Sequence, residues 1–211
     1  MTPRPYNLGK RLEQIDHGRR QILDAARALL ADAAGYTAFT VDAVARRADV
    51  ARGTVYYQFG SKSGLLEALC DDLAETGGLA DLPQAFGEAD ARNALAAFIV
   101  CFGRFWQADR TVMRRLRALA ALDPEVHAVV TARDQRRSDG LEVVVSRLVD
   151  HPRPPSGLDR ERAVRTLLAL TSFETFDVLA ANDQDVTDVV PQIVDLAQSA
   201  IEQAVPPRRR R

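Results

Sequence analysis

The chain has 211 residues, 46% of them hydrophobic, which allows one large or two small domains and supplies enough apolar material for a real core. The formal net charge of -1 points to no particular partner, and the longest apolar run, residues 95–102, stops at Gly103 and Arg104, far short of the about 18 residues of a membrane span. The N-terminal stretch MTPRPYNLGKRLEQ lacks the apolar segment of a signal peptide, and Cys70 and Cys101 have no companions at metal-ligand spacing, so a cytoplasmic protein without metal or cofactor is expected.

The distribution of charge says more than its sum. Residues 1–64 hold ten Lys/Arg and six Asp/Glu, a net +4, and the remainder carries a net -5. A basic end on an acidic body fits one segment that binds nucleic acid while the rest does something else.

In chain order, residues 1–16 are polar, contain Pro3 and Pro5, and read as a mobile arm; Arg4, Lys10, Arg11, Arg19 and Arg20 are either placed to track a phosphate backbone or belong to an ordinary solvated terminus. A helix is predicted over residues 18–34, with Ile22, Ala26, Leu29, Leu30 and Ala33 on one face, closed by Gly35; Tyr36 and Phe39 read as core. Residues 40–48 follow as a short helix, with Thr40 as its cap and Val41, Val44, Ala45 and Ala48 as its apolar side. Asp49 marks a sharp turn, since aspartate tolerates a left-handed backbone.

The next piece, residues 51–59, is short and chemically unusual. Val55 and Phe59, four apart, are its inward anchor, and Arg52, Thr54, Tyr56, Tyr57 and Gln58 crowd its remaining surface. These are hydrogen-bond donors and flat apolar faces, suited to phosphates, base edges and thymine methyls. Ser61 caps a further helix and Lys62 stands at its amide-rich start, a place that favours an anion. Helix, turn and a recognition helix for the DNA major groove is the economical reading.

The run FTVDAVARRADVARGTVYYQFGSKSGLLEAL resembles the helix-turn-helix of TetR/AcrR-type transcriptional repressors, over residues 18–70, most specifically at Gly53-Thr54-Val55-Tyr56-Tyr57-Gln58-Phe59 with Lys62 three residues on. The resemblance implies that Thr40, Tyr57, Gln58 and Lys62 contact phosphate, and that Arg52, Gly53, Thr54 and Tyr56 approach bases. The sequence departs from the family pattern at Asp49, where glycine is usual, and at Gln58, where histidine is common.

The fourth helix buries Leu65, Leu66, Leu69 and Leu73 and ends near Gly77-Gly78; residues 79–87 look like a linker. Every later segment is helical in pattern: a stripe of Leu95, Phe98, Ile99, Phe102 and Phe105 or Trp106, a helix over residues 109–122, another from Asp123-Pro124-Glu125 to Val149 with a possible kink at Gly140, one over residues 159–181, and a last one from Thr187 or Asp188 to Ala204 with Pro191 in its first turn. Residues 151–157 and 182–185 are loops. The expectation is an all-α chain of about nine helices: an arm (1–16), a DNA-binding domain (17–78), a second helical domain (79–205) and a basic tail (206–211) that ends in Arg208 to Arg211.

The last two helices are apolar over wide arcs, through Val164, Leu167, Leu168, Leu170, Thr171 and Leu179 on one and Val189, Ile193, Leu196, Ala197, Ala200 and Ile201 on the other. They are either interior helices of a monomer or half of a four-helix homodimer interface, which the resemblance also implies. Two-fold pairing would set two recognition helices about 34–36 Å apart on a palindromic site. Phe98, Phe102, Phe105, Trp106, Met113, Phe173 and Phe176 form either a core or a ligand cage, with His127, Arg104, Arg117 and Thr171 as polar groups within range of the sequence pattern. By resemblance this domain takes a small, largely apolar inducer that alters the separation of the DNA-reading heads. His127 alone is a weak metal-ligand candidate, and the groups Arg114, Arg115, Arg117 and Arg133, Arg136, Arg137 read as solvated faces.

The run Gly60-Ser61-Lys62-Ser63 is not a P-loop, because the spacing is wrong and no strand precedes it. No G-x-S-x-G, H-E-x-x-H or paired-cysteine motif is present, so no catalytic constellation is expected. Three readings remain: a dimeric repressor released from DNA by a ligand, a helix-turn-helix protein controlled by a protein partner, and a helical small-molecule carrier or enzyme.

Overall fold

The structure, a computed structural model, describes residues 8–32, 39–150, 159–181 and 184–202, with side chains from residue 15 onward. Among these residues the regular elements are all helical: α1 (Leu8–Ala31), α2 (Val41–Arg47), α3 (Arg52–Phe59), α4 (Lys62–Thr76), α5 (Leu82–Gly87), α6 (Ala91–Ala108), α7 (Arg110–Ala120), α8 (Pro124–Val149), α9 (Arg160–Leu170), α10 (Phe173–Leu179) and α11 (Val190–Glu202), with short 3-10 turns at Leu79–Asp81 and Val186–Val189. The all-α class is as expected, with eleven α-helices where the periodicity counts about nine. The chain divides into two compact units, residues 1–72 with 114–129, and residues 73–113 with 130–211.

In the first unit α1 begins at Leu8, within the stretch that composition reads as an arm. The sequence reading starts the helix only at Gly18, because the charges before it hide any apolar spacing. Residues 1–7, Gly35 and Tyr36 lie outside the described residues. Ile22, Ala26 and Leu30 of α1 are fully buried, as are Val44 of α2 and Leu65, Leu66 and Leu69 of α4; burying each leucine contributes about 1.5–3 kcal/mol. Thr40 caps α2, its hydroxyl oxygen accepting from the Ala43 amide at 3.1 Å. The other end of α2 closes through two reverse bonds, Val50 N–H to Ala45 O at 3.0 Å and Asp49 N–H to Arg46 O at 3.3 Å. This closure needs a left-handed residue, and Asp49 supplies it with φ 51. Gly60, with φ 75, ends α3, and the Ser61 hydroxyl caps α4 through the Gly64 amide at 3.0 Å. Gly64 has a packing reason of its own: a Cβ there would sit 2.1 Å from the Phe59 carbonyl oxygen.

Residues 114–129, which the sequence pattern assigns to the second domain, pack with these helices. Arg115 donates to Leu30 O at 3.0 Å, Ser63 donates to Glu125 at 3.3 Å, and Lys62 forms an ion pair with Asp123. Asp123 does two things at once. One carboxylate oxygen caps α8 by accepting from the Glu125 and Val126 amides, and the other accepts from Lys62.

In the second unit, residues 79–87 are a 3-10 turn and α5 rather than an irregular linker. Ala85 is buried, Phe86 meets Phe98 at 6.1 Å between ring centroids, and Arg147 donates to Phe86 O, Glu88 O and Ala89 O at the end of the helix. Asp90 caps α6. α8 runs unbroken through Gly140, where a Cβ would lie 3.1 Å from Phe98 and 3.2 Å from Phe86; close approach, not a kink, explains the glycine. The helix expected over residues 159–181 is two, α9 and α10. It breaks at Thr171, whose carbonyl accepts from the Trp106 indole at 3.2 Å, and Ser172 caps α10 through the Thr175 amide. The loop at residues 151–157 and the tail at 206–211 lie outside the described residues.

Asp49→Gly should raise the unfolding free energy by about 0.5 kcal/mol, because glycine adopts this backbone freely, while Asp49→Val should lower it by about 1–2 kcal/mol; chemical denaturation measures both. The Lys62 ammonium, ahead of the α8 amides, holds the Asp123 carboxyl below its usual range against the opposing effect of burial. A depressed folded-state pKa gives stability that is complete above the unfolded value and lost as pH falls through the folded one. Asp123→Asn keeps the cap and removes the charge, so it should cost about 1–2 kcal/mol at neutral pH, and its deficit should close in acid; melting curves across pH 2–7 check this.

Candidate nucleic-acid interface

α3 buries one side chain completely, Val55, at 1% exposure. Phe59, expected as a second inward anchor, is half-buried under Arg19 of α1, whose guanidinium carbon lies 4.6 Å from the ring centroid. Arg19 also donates to Gln58 O at 3.3 Å, so it secures the end of α3; it is one of the residues that composition offers as a phosphate tracker. Gln21 donates to Ala48 O at 2.7 Å and ties α1 to the turn before α3.

What remains of α3 faces outward. Arg52, Gly53, Tyr56 and Tyr57 are exposed, with Tyr57 at 79%, and Thr54 and Gln58 are half-buried. A tyrosine with four-fifths of its surface in water is unusual for a side chain with that much apolar area. Gly53 is unusual as well. A Cβ added there would meet nothing within 4 Å, and its φ is not in the left-handed range, so the fold itself gives no reason for a residue that costs a helix about 1 kcal/mol relative to alanine.

Arg52 and Tyr56, one turn apart, meet: Arg52 Nη2 donates to the Tyr56 hydroxyl oxygen at 3.2 Å, with the guanidinium carbon 5.4 Å from the ring centroid. Asp42 of α2, which the sequence reading passes over, accepts from Arg52 Nη1 at 3.2 Å. The Tyr56 hydroxyl first, and Asp42 second, push the Arg52 pKa up, so the group is a fixed cation. No local sequence signal marks Asp42, since the pairing joins residues ten apart across the turn. Thr40 is exposed; its oxygen accepts from Ala43 and its O–H stays able to donate. Lys62 stands apart from the other expected contacts, with its side chain 19% exposed and engaged with Asp123.

In the second unit Phe98, Phe102, Phe105, Trp106, Met113, Phe173 and Phe176 are all buried. The rings pack on one another in a chain, with centroid separations of 4.7 Å for Phe98–Phe102, 5.8 Å for Phe102–Trp106, 4.6 Å for Phe105–Trp106 and 5.7 Å for Trp106–Phe173. His127 does not join them; it is exposed and belongs to the first unit. The polar groups inside the cluster are Thr171, at 0% exposure, and Arg137, at 5%. Arg137 is not on a solvated face. Its guanidinium lies 5.9 Å from the Phe102 centroid and 5.8 Å from that of Trp106, and it donates to Asp134 at 3.1 Å and to the Thr171 hydroxyl at 3.5 Å. The signal for this was the spacing of Arg137 with Leu141, Val144 and Leu148, the buried stripe of α8. Among the described residues no cluster of His, Cys, Asp and Glu could hold a metal, and no helix is long and apolar enough to cross a membrane.

Residues 22–69, the helix-turn-helix and its flanking helices, match the family model of bacterial regulatory proteins of the tetR family. The HTH-type transcriptional regulator AlkX of Mycobacterium tuberculosis is 35% identical over 113 residues, which is 54% of this chain and 47% of that protein, so the match takes in about half the length of the curated relative. Two solved structures share the fold along most of the chain. FadR from Bacillus subtilis, in complex with stearoyl-CoA, aligns with a TM-score of 0.66 at 22% identity, over 86% of this chain and 98% of its own. The TetR family regulator PfmR from Thermus thermophilus aligns with a TM-score of 0.63 at 22% identity, over 86% and 99%. Family match, relative and fold agree with the exposed helix-turn-helix built above: residues 22–69 carry the DNA-binding segment of the tetR family, and the chain shares the fold of TetR-type regulators.

Proposed function

We propose that the chain is a homodimeric repressor that binds a palindromic DNA site through α3 and leaves it when a largely apolar ligand enters the second unit. The observation that carries the DNA half is α3 itself, which spends one side chain on the core and holds an arginine, a glycine without a packing role and two tyrosines toward solvent. A groove-reading helix needs a backbone that a duplex can approach and side chains that donate or present flat faces. Arg52, Gly53, Thr54 and Tyr56 are assigned to base edges, and Thr40, Tyr57 and Gln58 to phosphate. Lys62 is a weaker phosphate candidate, because contact with DNA has to compete with Asp123.

Dimerisation is assigned to the C-terminal helices. Val178 of α10 is 78% exposed and Leu196 of α11 is 43% exposed, and Leu168, Leu170 and Ala200 are half-buried beside an interior that already holds Leu167, Ile193 and Ala197. Apolar surface left over after an interior is filled fits a second copy.

For the ligand, the candidate walls are the aromatic rings of α6 and α10 with Met113, and the polar handle is Arg137 with Thr171. That composition suits a molecule, or part of one, with much apolar surface and few polar atoms; the stearoyl chain of the stearoyl-CoA bound by FadR, a chain of the same fold, is apolar in this way. Release requires that the ligand bind the DNA-incompetent arrangement more tightly than the competent one. The same helix-turn-helix would also serve a cytoplasmic regulator controlled by a protein partner, but a buried arginine among aromatic rings favours a small molecule.

Tyr57→Ala should weaken binding to all duplexes several-fold and make the fall of affinity with salt shallower, as loss of a phosphate contact does; titration against duplex DNA over a salt series decides, and an unchanged curve refutes the assignment. Leu196→Glu should convert the chain to monomers in sedimentation velocity and abolish tight binding to a palindrome, while leaving the helical content intact.

A further inference from the structure

We propose that Asp42 is a positioning residue that fixes Arg52 as a reader of guanine. This rests on the assignment of α3 to the major groove. In a helix-turn-helix the first residues of the second helix approach base edges, and Arg52 is the first residue of α3. A free arginine there would serve phosphates and bases alike, since its long side chain has many rotamers. Here it has few. Asp42 takes Nη1 and Tyr56 takes Nη2, each at 3.2 Å, and the Tyr56 ring flanks the guanidinium. The remaining N–H donors still suffice for the paired contact that an arginine makes with the O6 and N7 acceptors of guanine.

The carboxylate is the telling group. With its side chain 48% exposed beside Arg52 at 60%, Asp42 puts a negative charge next to a surface assigned to a polyanion. A chain selected only for electrostatic affinity gains nothing from that charge. Asp42 stands in the first turn of α2, where an acid favours the helix dipole, and this accounts for its stability role. It does not account for a guanidinium held between two partners. A buttressed arginine has a direction: it loses less freedom when it meets a guanine, and its link to Asp42 penalises a swing toward a phosphate. The expected effects of losing Asp42 on specificity and on general affinity therefore have opposite signs.

The test is site selection by the full-length protein from duplexes with a randomised core, followed by titration of the selected site and of single-base variants at each guanine. Wild type, Arg52→Ala, Asp42→Asn and Asp42→Ala are compared. Arg52→Ala should lose one guanine preference in each half-site. Both Asp42 variants should lose roughly tenfold in discrimination at that same guanine, while their affinity for unselected DNA stays equal or rises and its salt dependence steepens. Asp42 variants that keep full guanine discrimination overturn the proposal. So does a uniform loss of affinity with a lowered melting temperature, which would mean that Asp42 only supports α2. A wild-type chain that selects no site overturns the DNA-binding assignment itself, and the role of Asp42 with it.

Discussion

An isolated helix of eight residues does not persist in water, because the cost of nucleating it exceeds what so few backbone hydrogen bonds return. Everything α3 displays therefore depends on how it is held from outside. Val55 is driven into the interior against α2, and Arg19 covers Phe59 and takes the carbonyl of Gln58. The left-handed Asp49 aims the chain into the helix, and Gly60 with Gly64 turns it out again so tightly that any side chain at residue 64 would strike the Phe59 carbonyl. The consequence is functional. With its inner face and both ends fixed by neighbours, α3 carries almost no packing duty on its outer face, and that face is free to be chosen for what it reads.

Much of this was legible in the sequence because it is local. Capping by Thr40, Ser61 and Asp123 follows from residue type within one helical turn, and Asp49 announced the turn by being one of the few residues that tolerate it. The stripe of Leu65, Leu66, Leu69 and Leu73 needed only its period. The misses share a cause. Residues 79–87 look irregular because Pro83 and Gly87 bracket a single turn and a half, and the partners that hold that piece, Phe98 and Arg147 among them, lie outside its own stretch of sequence. The break at Thr171 is hidden in a run of apolar residues, and the Trp106 indole that takes its carbonyl lies far away in sequence. Within the candidate site, Asp42 escaped for the same reason.

Arginine is the residue whose role changed most between sequence and structure. Arg19 was legible only as a charge near phosphate and Arg115 only as one on a solvated face, and nothing in the sequence pattern singled out Arg110 or Arg147. Each in fact donates to backbone carbonyls at the end of another element: Gln58 O of α3, Ala181 O and Gln184 O after α10, Leu30 O of α1, and Phe86 O of α5. The last carbonyls of a helix have no intrahelical donors and carry partial negative charge, so a guanidinium with several N–H groups satisfies more than one of them and is attracted to the site. For a chain built from short helices the number of such ends is large. A basic side chain near the N-terminus is thus weak evidence for a phosphate contact until its partner is known, and the net +4 of the first 64 residues overstates the charge available to DNA.

Lys62 shows how far that reasoning reaches. The family resemblance assigns it to phosphate, and its position at the start of α4 agrees. Yet it is four-fifths covered and its ammonium meets Asp123, which also caps α8. An ammonium has donors to spare, so a phosphate does not have to displace the carboxylate outright, but approach to a polyanion with Asp123 alongside is weaker than approach to a lone lysine. Among the described residues Tyr57 meets no such competitor, and far more of its surface is in solvent. If both touch the backbone of a duplex, the tyrosine sets the register, and the lysine answers first to the carboxylate that joins α4 to the start of α8.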